Sequence, residues 1–247
     1  MSLREEIIEL INESVSDSDN EEFFRNPLVG FSSANDPLYN DLKEIVGPHH
    51  FHPQDILPEA KTVVSFFIPF SKEVVASNRK GEYCSREWAE SYVKANGLID
   101  HISNKLIHYL AGKDIKAATI KATHTYDERT LKSAWSHRSA AYIAGLGRFG
   151  LNRMIISKAG SAGRYGSVVI SQEIEGDKRP EEYICTYYKN GKCKICVDAC
   201  PVKALHIDGF DRFKCYDRLL ENAKRFQDIG LCDACGKCVV ACPFATI

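Results

Sequence analysis

The chain has 247 residues, with 32 Lys and Arg against 33 Asp and Glu and a formal net charge of -1. That balance gives no overall basic footprint and argues against a dedicated nucleic-acid binder. The longest apolar run, TVVSFFIPF, is far short of the roughly 20 residues that cross a bilayer, and the acidic, amphipathic start MSLREEIIELINESVSDSD lacks the apolar stretch of a secretion signal. A cytoplasmic protein with no membrane partner is expected.

In chain order, the pattern predicts an N-terminal amphipathic helix, then a surface segment from Asn26 to Ala60 wrapped around one short helix at 37–46. His49, His50 and His52 in GPHHFHP read as a polar loop, because nothing nearby completes a metal-ligand set. KTVVSFFIPF reads as a central strand. From Ser85, the stripe Trp88, Tyr92, Ile99, Ile102, Leu106 and Leu110 predicts a long helix stopped by Gly112. IKAATIKA is a second strand. Leu131, Ala134, Arg138, Ala141 and Tyr142 then recur at helical spacing, and RMIISK and GSVVISQEI follow as strands. The expected fold is α/β (α+β), with helices packed on a central sheet over residues 1–180. The boundary falls near EGDKRPEEY, and residues 181–247 form a small, cysteine-dominated, ferredoxin-like domain.

Gly145, Gly147 and Gly150 in IAGLGRFGLN have the G-x-G-x-x-G spacing that cradles a dinucleotide pyrophosphate. That motif works as a turn from a strand into a helix. Here the order is helix, glycines, strand, which disfavours a nicotinamide. The remaining readings are a glycine-rich helix stop with tight packing and a loop that lets another flat cofactor approach the backbone.

Nine of the ten cysteines lie after residue 184, so a metal site is expected in preference to a disulfide scaffold. Cys232, Cys235, Cys238 and Cys242-Pro243 follow C-x2-C-x2-C-x3-C-P, the run in which three thiolates hold one [4Fe-4S] cube and the fourth crosses to its neighbour. Cys193, Cys196 and Cys200-Pro201 repeat it with Asn190 in the first position, a gap that Cys185 fills through a longer loop. One cube is assigned Cys185, Cys193, Cys196 and Cys242; the other is assigned Cys200, Cys235 and Cys238 with Cys232 or Cys215. Tetrahedral zinc is the competing reading, disfavoured because it needs neither eight ligands nor two C-x3-C-P runs. Cys84 stands apart in sequence and reads as an ordinary core or surface thiol.

LPEAKTVVSFFIPF, SREWAESYVKANGLI, WSHRSAAYIAGLGRFGLNRMIISKAGSAGRYGSVV and the double cysteine run with FDRFKCYDRLLENAKRF together resemble the epoxyqueuosine reductase family over nearly the whole chain. The resemblance implies an oxidoreductase that binds a corrinoid (cobalamin) in its N-terminal domain, a fold shared with reductive dehalogenases. Two [4Fe-4S] clusters would be charged by an external low-potential donor of ferredoxin or flavodoxin type. It implies Gly145, Gly147, Gly150, Asn152, Gly160 and Gly163 as cofactor-lining positions. The proton donor of the family lies before the glycine loop, where Asp127 is the nearest carboxylate, about four residues too distant; Tyr126 and His137 are the alternatives. The expected substrate is small or nucleoside-like; tRNA is less favoured because the sequence runs only five residues past Cys242, short of the family's extension that holds tRNA. The alternative class is a non-enzymatic iron–sulfur carrier without a corrinoid.

Overall fold

The computed structural model describes residues 1–18, 20–122 and 126–247. Its first helix, α1 (Leu3–Ser16), starts on a capping box: Ser2 Oγ accepts from the Glu5 amide while the Glu5 carboxylate accepts from the Ser2 amide. Two of the donors that a helix start leaves open are thereby satisfied. There follow β1 (Leu28–Ser33), α2 (Leu38–Ile45), α3 (Pro53–Ile56), β2 (Thr62–Pro69), α4 (Lys72–Ser77) and α5 (Arg86–Ala111). The middle of the chain forms β3 (Ala117–Ala118), β4 (Tyr126–Asp127), β5 (Lys132–Ser133), α6 (His137–Ile143), β6 (Arg148–Phe149), β7 (Ile155–Ile156) and β8 (Gly163–Ile170). The cysteine-rich end carries α7 (Thr186–Asn190), α8 (Ile195–Asp198), α9 (Arg212–Arg225) and α10 (Lys237–Val240).

The main sheet has the order β1-β2-β8-β3 with every neighbouring pair antiparallel, so the fold is the α+β form of the expectation. Strand alternation divides the core. Val64, Phe66 and Ile68 of β2, with Val168 and Ile170 of β8, join α1 and α5 in one apolar cluster. Val63 and Val169 face α2 and α6 on the other side, as do Phe67 and Tyr165 beside Ala141. Both faces of β2 are therefore covered, and all eight of its residues are buried. The stripe of α5 is buried as its spacing predicts, and Ser85 caps the helix by accepting from the Trp88 amide at 3.2 Å.

Four expectations are corrected. The Asn26–Ala60 segment contains β1, an edge strand that pairs along the whole of its length with β2. Within it His50 is buried, taking the Ser136 amide on Nε2 at 3.1 Å and bonding the Phe51 carbonyl through Nδ1 at 2.8 Å, so it pins the loop down. The second strand shrinks to Ala117–Ala118. The helix before the glycines begins only at His137, because Asp127 Oδ1 accepts from the amides of Arg129 and Thr130 and closes a turn instead. Leu131 then sits at φ 52 between β4 and β5.

The cysteine-rich end shares the N-terminal core. Cys232, Ala234, Val239, Val240 and Ala245 belong to the apolar cluster around α5. Asn78 Nδ2 donates to the Cys235 carbonyl at 2.9 Å, and Lys237 Nζ donates to the carbonyls of Asn78 and Lys80 at 2.8 and 2.6 Å. The amides of Ser161 and Ala162 both reach the Ala245 carbonyl at 3.0 Å. Among the described residues no helix is long and apolar enough to cross a membrane.

Candidate iron–sulfur and cofactor site

The cysteines separate into two groups of four and one pair. Burial, then the charges of Cys242 and Cys185 and, more weakly, Cys193, push the Cys196 thiol up to about 11. Burial, then Cys235 and Cys200, push Cys215 up to about 12. Cys238 is raised by burial and then by Cys235, Cys215, Cys200 and Cys196, which places it where the two groups meet. The groups are thus Cys185, Cys193, Cys196 and Cys242, and Cys200, Cys215, Cys235 and Cys238. Each is a set of soft donors whose thiolate forms are costly until a cation compensates them. Among the described residues no three His, Cys, Asp or Glu side chains meet closely enough to hold a single metal ion.

Cys84 is not the isolated thiol its sequence position suggests. It is buried in the core beside Cys232, and the S–H of Cys84 donates to Cys232, raising the first thiol and lowering the second. The Cys84 amide and the Ala234 carbonyl are tied together through the side chain of Asn222, at 3.4 and 2.8 Å. Spacing alone could not reveal this pair, because 148 positions separate its members (232 − 84).

Of the positions carried over as cofactor-lining, Asn152 lines a small hollow with Cys185, Cys193, Cys196 and Cys242. Its Oδ1 accepts from the Met154 amide at 3.1 Å, while its buried Nδ2 has no partner. A buried N–H donor is therefore left open on a residue that borders these thiols. The glycines behave otherwise. Gly145 is the left-handed residue of a Schellman stop on α6, with φ 76 and the Leu146 amide reaching the Ala141 carbonyl at 3.0 Å. A Cβ on Gly147 would lie 2.4 Å from the Ile156 carbonyl oxygen, and one on Gly150 would lie 2.8 Å from Ile156 Cδ1. Gly160 is closed by the Ala245 carbonyl at 2.3 Å and Gly163 by the Ile68 carbonyl at 2.2 Å. All five meet protein atoms, so close packing already requires them. Gly145 and Gly147 also border a hollow of about 410 Å³ with Gly30 and Lys178.

The three proton-donor candidates fare differently. Asp127 is exposed, and its carboxyl is held below the usual range by hydrogen bonds from Thr130. His137 is buried and bonds Ser167 Oγ through Nδ1 at 2.8 Å; burial pulls its pKa to about 4, leaving a neutral core imidazole at physiological pH. Tyr126 is half-buried and shares a 2.8 Å hydrogen bond with the hydroxyl of Tyr216, the neighbour of Cys215, which raises its pKa. The phenol therefore remains protonated. Sequence reading missed Tyr216, although its adjacency to Cys215 was a usable signal.

No protein-family model matches the chain. It is 29 % identical over 221 residues to an epoxyqueuosine reductase of Lactococcus garvieae, covering 84 % of this chain and 58 % of that relative. It is 26 % identical over 246 residues to that of Staphylococcus aureus, covering 87 % and 60 %. The chain thus spans less than two thirds of the length of these curated relatives. Among solved structures, an epoxyqueuosine reductase with a tRNA-Tyr epoxyqueuosine-modified stem loop superposes with TM-score 0.64 at 22 % identity, over 98 % of this chain and 65 % of that one. The catabolic reductive dehalogenase NpRdhA superposes with TM-score 0.63 at 17 % identity, over 89 % and 30 %. This chain is thus similar in sequence over most of its length to curated epoxyqueuosine reductases, and similar in fold over nearly all of it to solved ones.

Proposed function

We propose that the protein is a corrinoid-dependent iron–sulfur reductase of epoxyqueuosine reductase type, with residues 1–180 holding the corrinoid and substrate and residues 181–247 holding two [4Fe-4S] clusters. The observation that carries this reading is the sorting of eight thiols into two groups of four that touch at Cys238. Cys185, Cys193, Cys196 and Cys242 would bind one cluster, and Cys200, Cys215, Cys235 and Cys238 the other. Cys232, already engaged with Cys84, is then released from the ligand set.

A corrinoid supplies a low-valent cobalt centre for reduction once electrons arrive from a ferredoxin- or flavodoxin-type donor. This chain's own residues do the rest. Asn152, with its buried unpartnered N–H beside these thiols, would donate to the first cluster when it is bound, and such bonds would stabilise its reduced, more negative state. Tyr126, kept protonated by Tyr216, holds a proton for delivery to the reduced substrate. The substrate is small or nucleoside-like, and a tRNA-borne nucleoside is the class that the stem-loop relative brings to mind.

Anaerobic reconstitution with iron, sulfide and hydroxocobalamin, followed by gel filtration and an absorption spectrum, tests this. Co-elution of corrinoid with about eight irons per chain supports it. Iron without corrinoid leaves an electron carrier instead, and stoichiometric zinc without iron overturns both.

A further inference from the structure

We propose that the groove between the loop after α4 and the short helices α8 and α10 is the docking surface for an acidic protein that carries single electrons, and that such a carrier delivers its electron at Cys242. This deepens the reductase reading by locating where the donor binds, and it rests on that reading for the presence of a cluster behind Cys242.

The groove has a volume of about 540 Å³. Arg79 and Gly81 line it from the loop after α4, and Ile195 and Val240 line it from α8 and α10. Ile195, Cys242 and Pro243 also border the small hollow shared by Cys185, Cys193 and Cys196, so these three residues stand between the groove and the first group of thiols. Cys242 is only partly buried. Electron transfer slows steeply with distance, and here one of the four thiols belongs to the surface that a partner would touch. The two sides of the groove are also fastened to each other. Lys237 Nζ donates to the carbonyls of Asn78 and Lys80 at 2.8 and 2.6 Å, and Asn78 Nδ2 donates to the Cys235 carbonyl at 2.9 Å. A surface held in shape before its partner arrives loses less freedom on binding.

Charge and polarity name the partner. No carboxylate lines the groove among the described residues, whereas Arg79 and Lys237 do. Lys237 is held by neutral carbonyls, so its charge is not cancelled. Lys80 and Lys194 adjoin the lining residues Gly81 and Ile195. Arg79, Lys80 and Lys194 are exposed, and among the described residues none of them forms an ion pair. Against these four cations stand Glu82, already paired with Arg218 at 2.9 Å, and Asp198 of α8. The rim is therefore net positive, which steers an acidic partner and speeds its arrival. The floor is apolar: Ile195 is 48 % exposed and shares the groove with Ala199, Pro201 and Val240. An apolar centre inside a charged rim is the anatomy of a protein–protein contact, and electron-transfer encounters are the small, weak ones. RNA is the competing polyanion, but among the described residues no aromatic side chain lines the groove for bases to stack on.

The test titrates two purified acidic carriers, a flavodoxin and a [2Fe-2S] ferredoxin, in their oxidised forms into the anaerobically purified, iron-loaded protein, with calorimetric detection. The expected result is that at least one of them binds, and that its affinity falls as ionic strength rises. Arg79→Glu and Lys194→Glu should each weaken binding by about tenfold or more, and Lys105→Glu, in the C-terminal half of α5, should not change it. When the carrier is reduced before mixing, one electron leaves it and enters a cluster, with no bond made or broken. The second-order rate constant of that transfer should fall by about tenfold or more in the same two variants. Iron content and the spectrum of the dithionite-reduced protein report cluster assembly in each variant. Absence of binding by both carriers overturns the proposal, as does equal affinity in wild type and the two rim variants. If an unmodified tRNA stem loop binds and loses affinity in those variants while the carriers bind unchanged, the surface is a nucleic-acid contact and the proposal falls. Charge-dependent carrier docking in a protein that retains no corrinoid supports the surface and sinks the corrinoid reading alone.

Discussion

Replacing Cys215 and Cys232 one at a time by alanine distinguishes the two completions of the second cluster that the spacing leaves open. Cys215 has Cys235 and Cys200 as electrostatic neighbours, while Cys232 bonds Cys84 and does not enter that group. Cys215→Ala removes one of four ligands, so iron should fall from about eight to about four per chain, with acid-labile sulfide falling in parallel. Cys232→Ala should leave both counts unchanged. Its cost is conformational: Cys232 is fully buried and accepts one S–H hydrogen bond. Losing a bond of that kind costs about 1 kcal/mol, and a chain of this length then melts about 2 to 4 °C lower. Iron and sulfide quantitation, with electron paramagnetic resonance of the dithionite-reduced protein, reads the first effect, and anaerobic calorimetric melts read the second. The reasoning is refuted if Cys232→Ala loses half its iron while Cys215→Ala keeps all of it.

Gly147→Val should lower the melting temperature of the corrinoid-free protein by about 5 to 10 °C, a loss of roughly 2 to 3 kcal/mol, because its Cβ meets the Ile156 carbonyl at 2.4 Å; an unchanged melt would show that the contact relaxes freely. Neither NADH nor NADPH should bind or reduce the clusters without a separate reductase, since the glycines follow a helix and stop it; tight stoichiometric binding by calorimetry would contradict this. His137 has a folded pKa of about 4 against an ordinary 6.5, so its neutral form stabilises the fold fully above pH 6.5 and that stability fades as pH falls toward 4. About 2 kcal/mol should disappear between pH 7 and pH 5, and His137→Gln should flatten that part of the pH profile of unfolding. Tyr126→Phe should slow substrate reduction by about a hundredfold or more without changing iron content, and unaltered turnover would remove the phenol from the mechanism.

Elements fixed by local chemistry were legible in the sequence. Ser85, the stripe from Trp88 to Leu110 and the two C-x3-C-P runs are local patterns, and the structure gives the first two the roles their spacing suggests. What depended on distant partners was not legible. β1 shows little period-2 signal, since Gly30, Ser32 and Ser33 interrupt it, and it exists because β2 offers a complete row of partners. Asp127 diverted a helical pattern into a hairpin by capping its own turn. The spacing of the glycines carries no sign of Ile156, Ala245 and Ile68, distant or unmarked in sequence, whose atoms a Cβ at Gly147, Gly150, Gly160 or Gly163 would meet. Cys84 met Cys232 only through the docking of the cysteine-rich end on the loop after α4.

That docking also couples the clusters to the fold. Gly236 sits between the thiols Cys235 and Cys238 at φ 73, and a Cβ there would lie 2.2 Å from Trp88 Cζ2, so the ligand loop is pressed against the first turn of α5. The same loop buries Cys232, Ala234, Val239 and Val240 in the core that α1, α5 and the sheet share, and Lys237 spends its charge on the carbonyls of Asn78 and Lys80. An electron carrier appended by a linker would keep its own core, and its clusters could be lost without consequence elsewhere. Here the thiols of Cys235, Cys215, Cys200 and Cys196 surround Cys238 and raise its pKa, so without a cation it stays protonated and uncharged. A cluster bound there would form bonds with a loop that packs into this core, and its binding would be linked to folding.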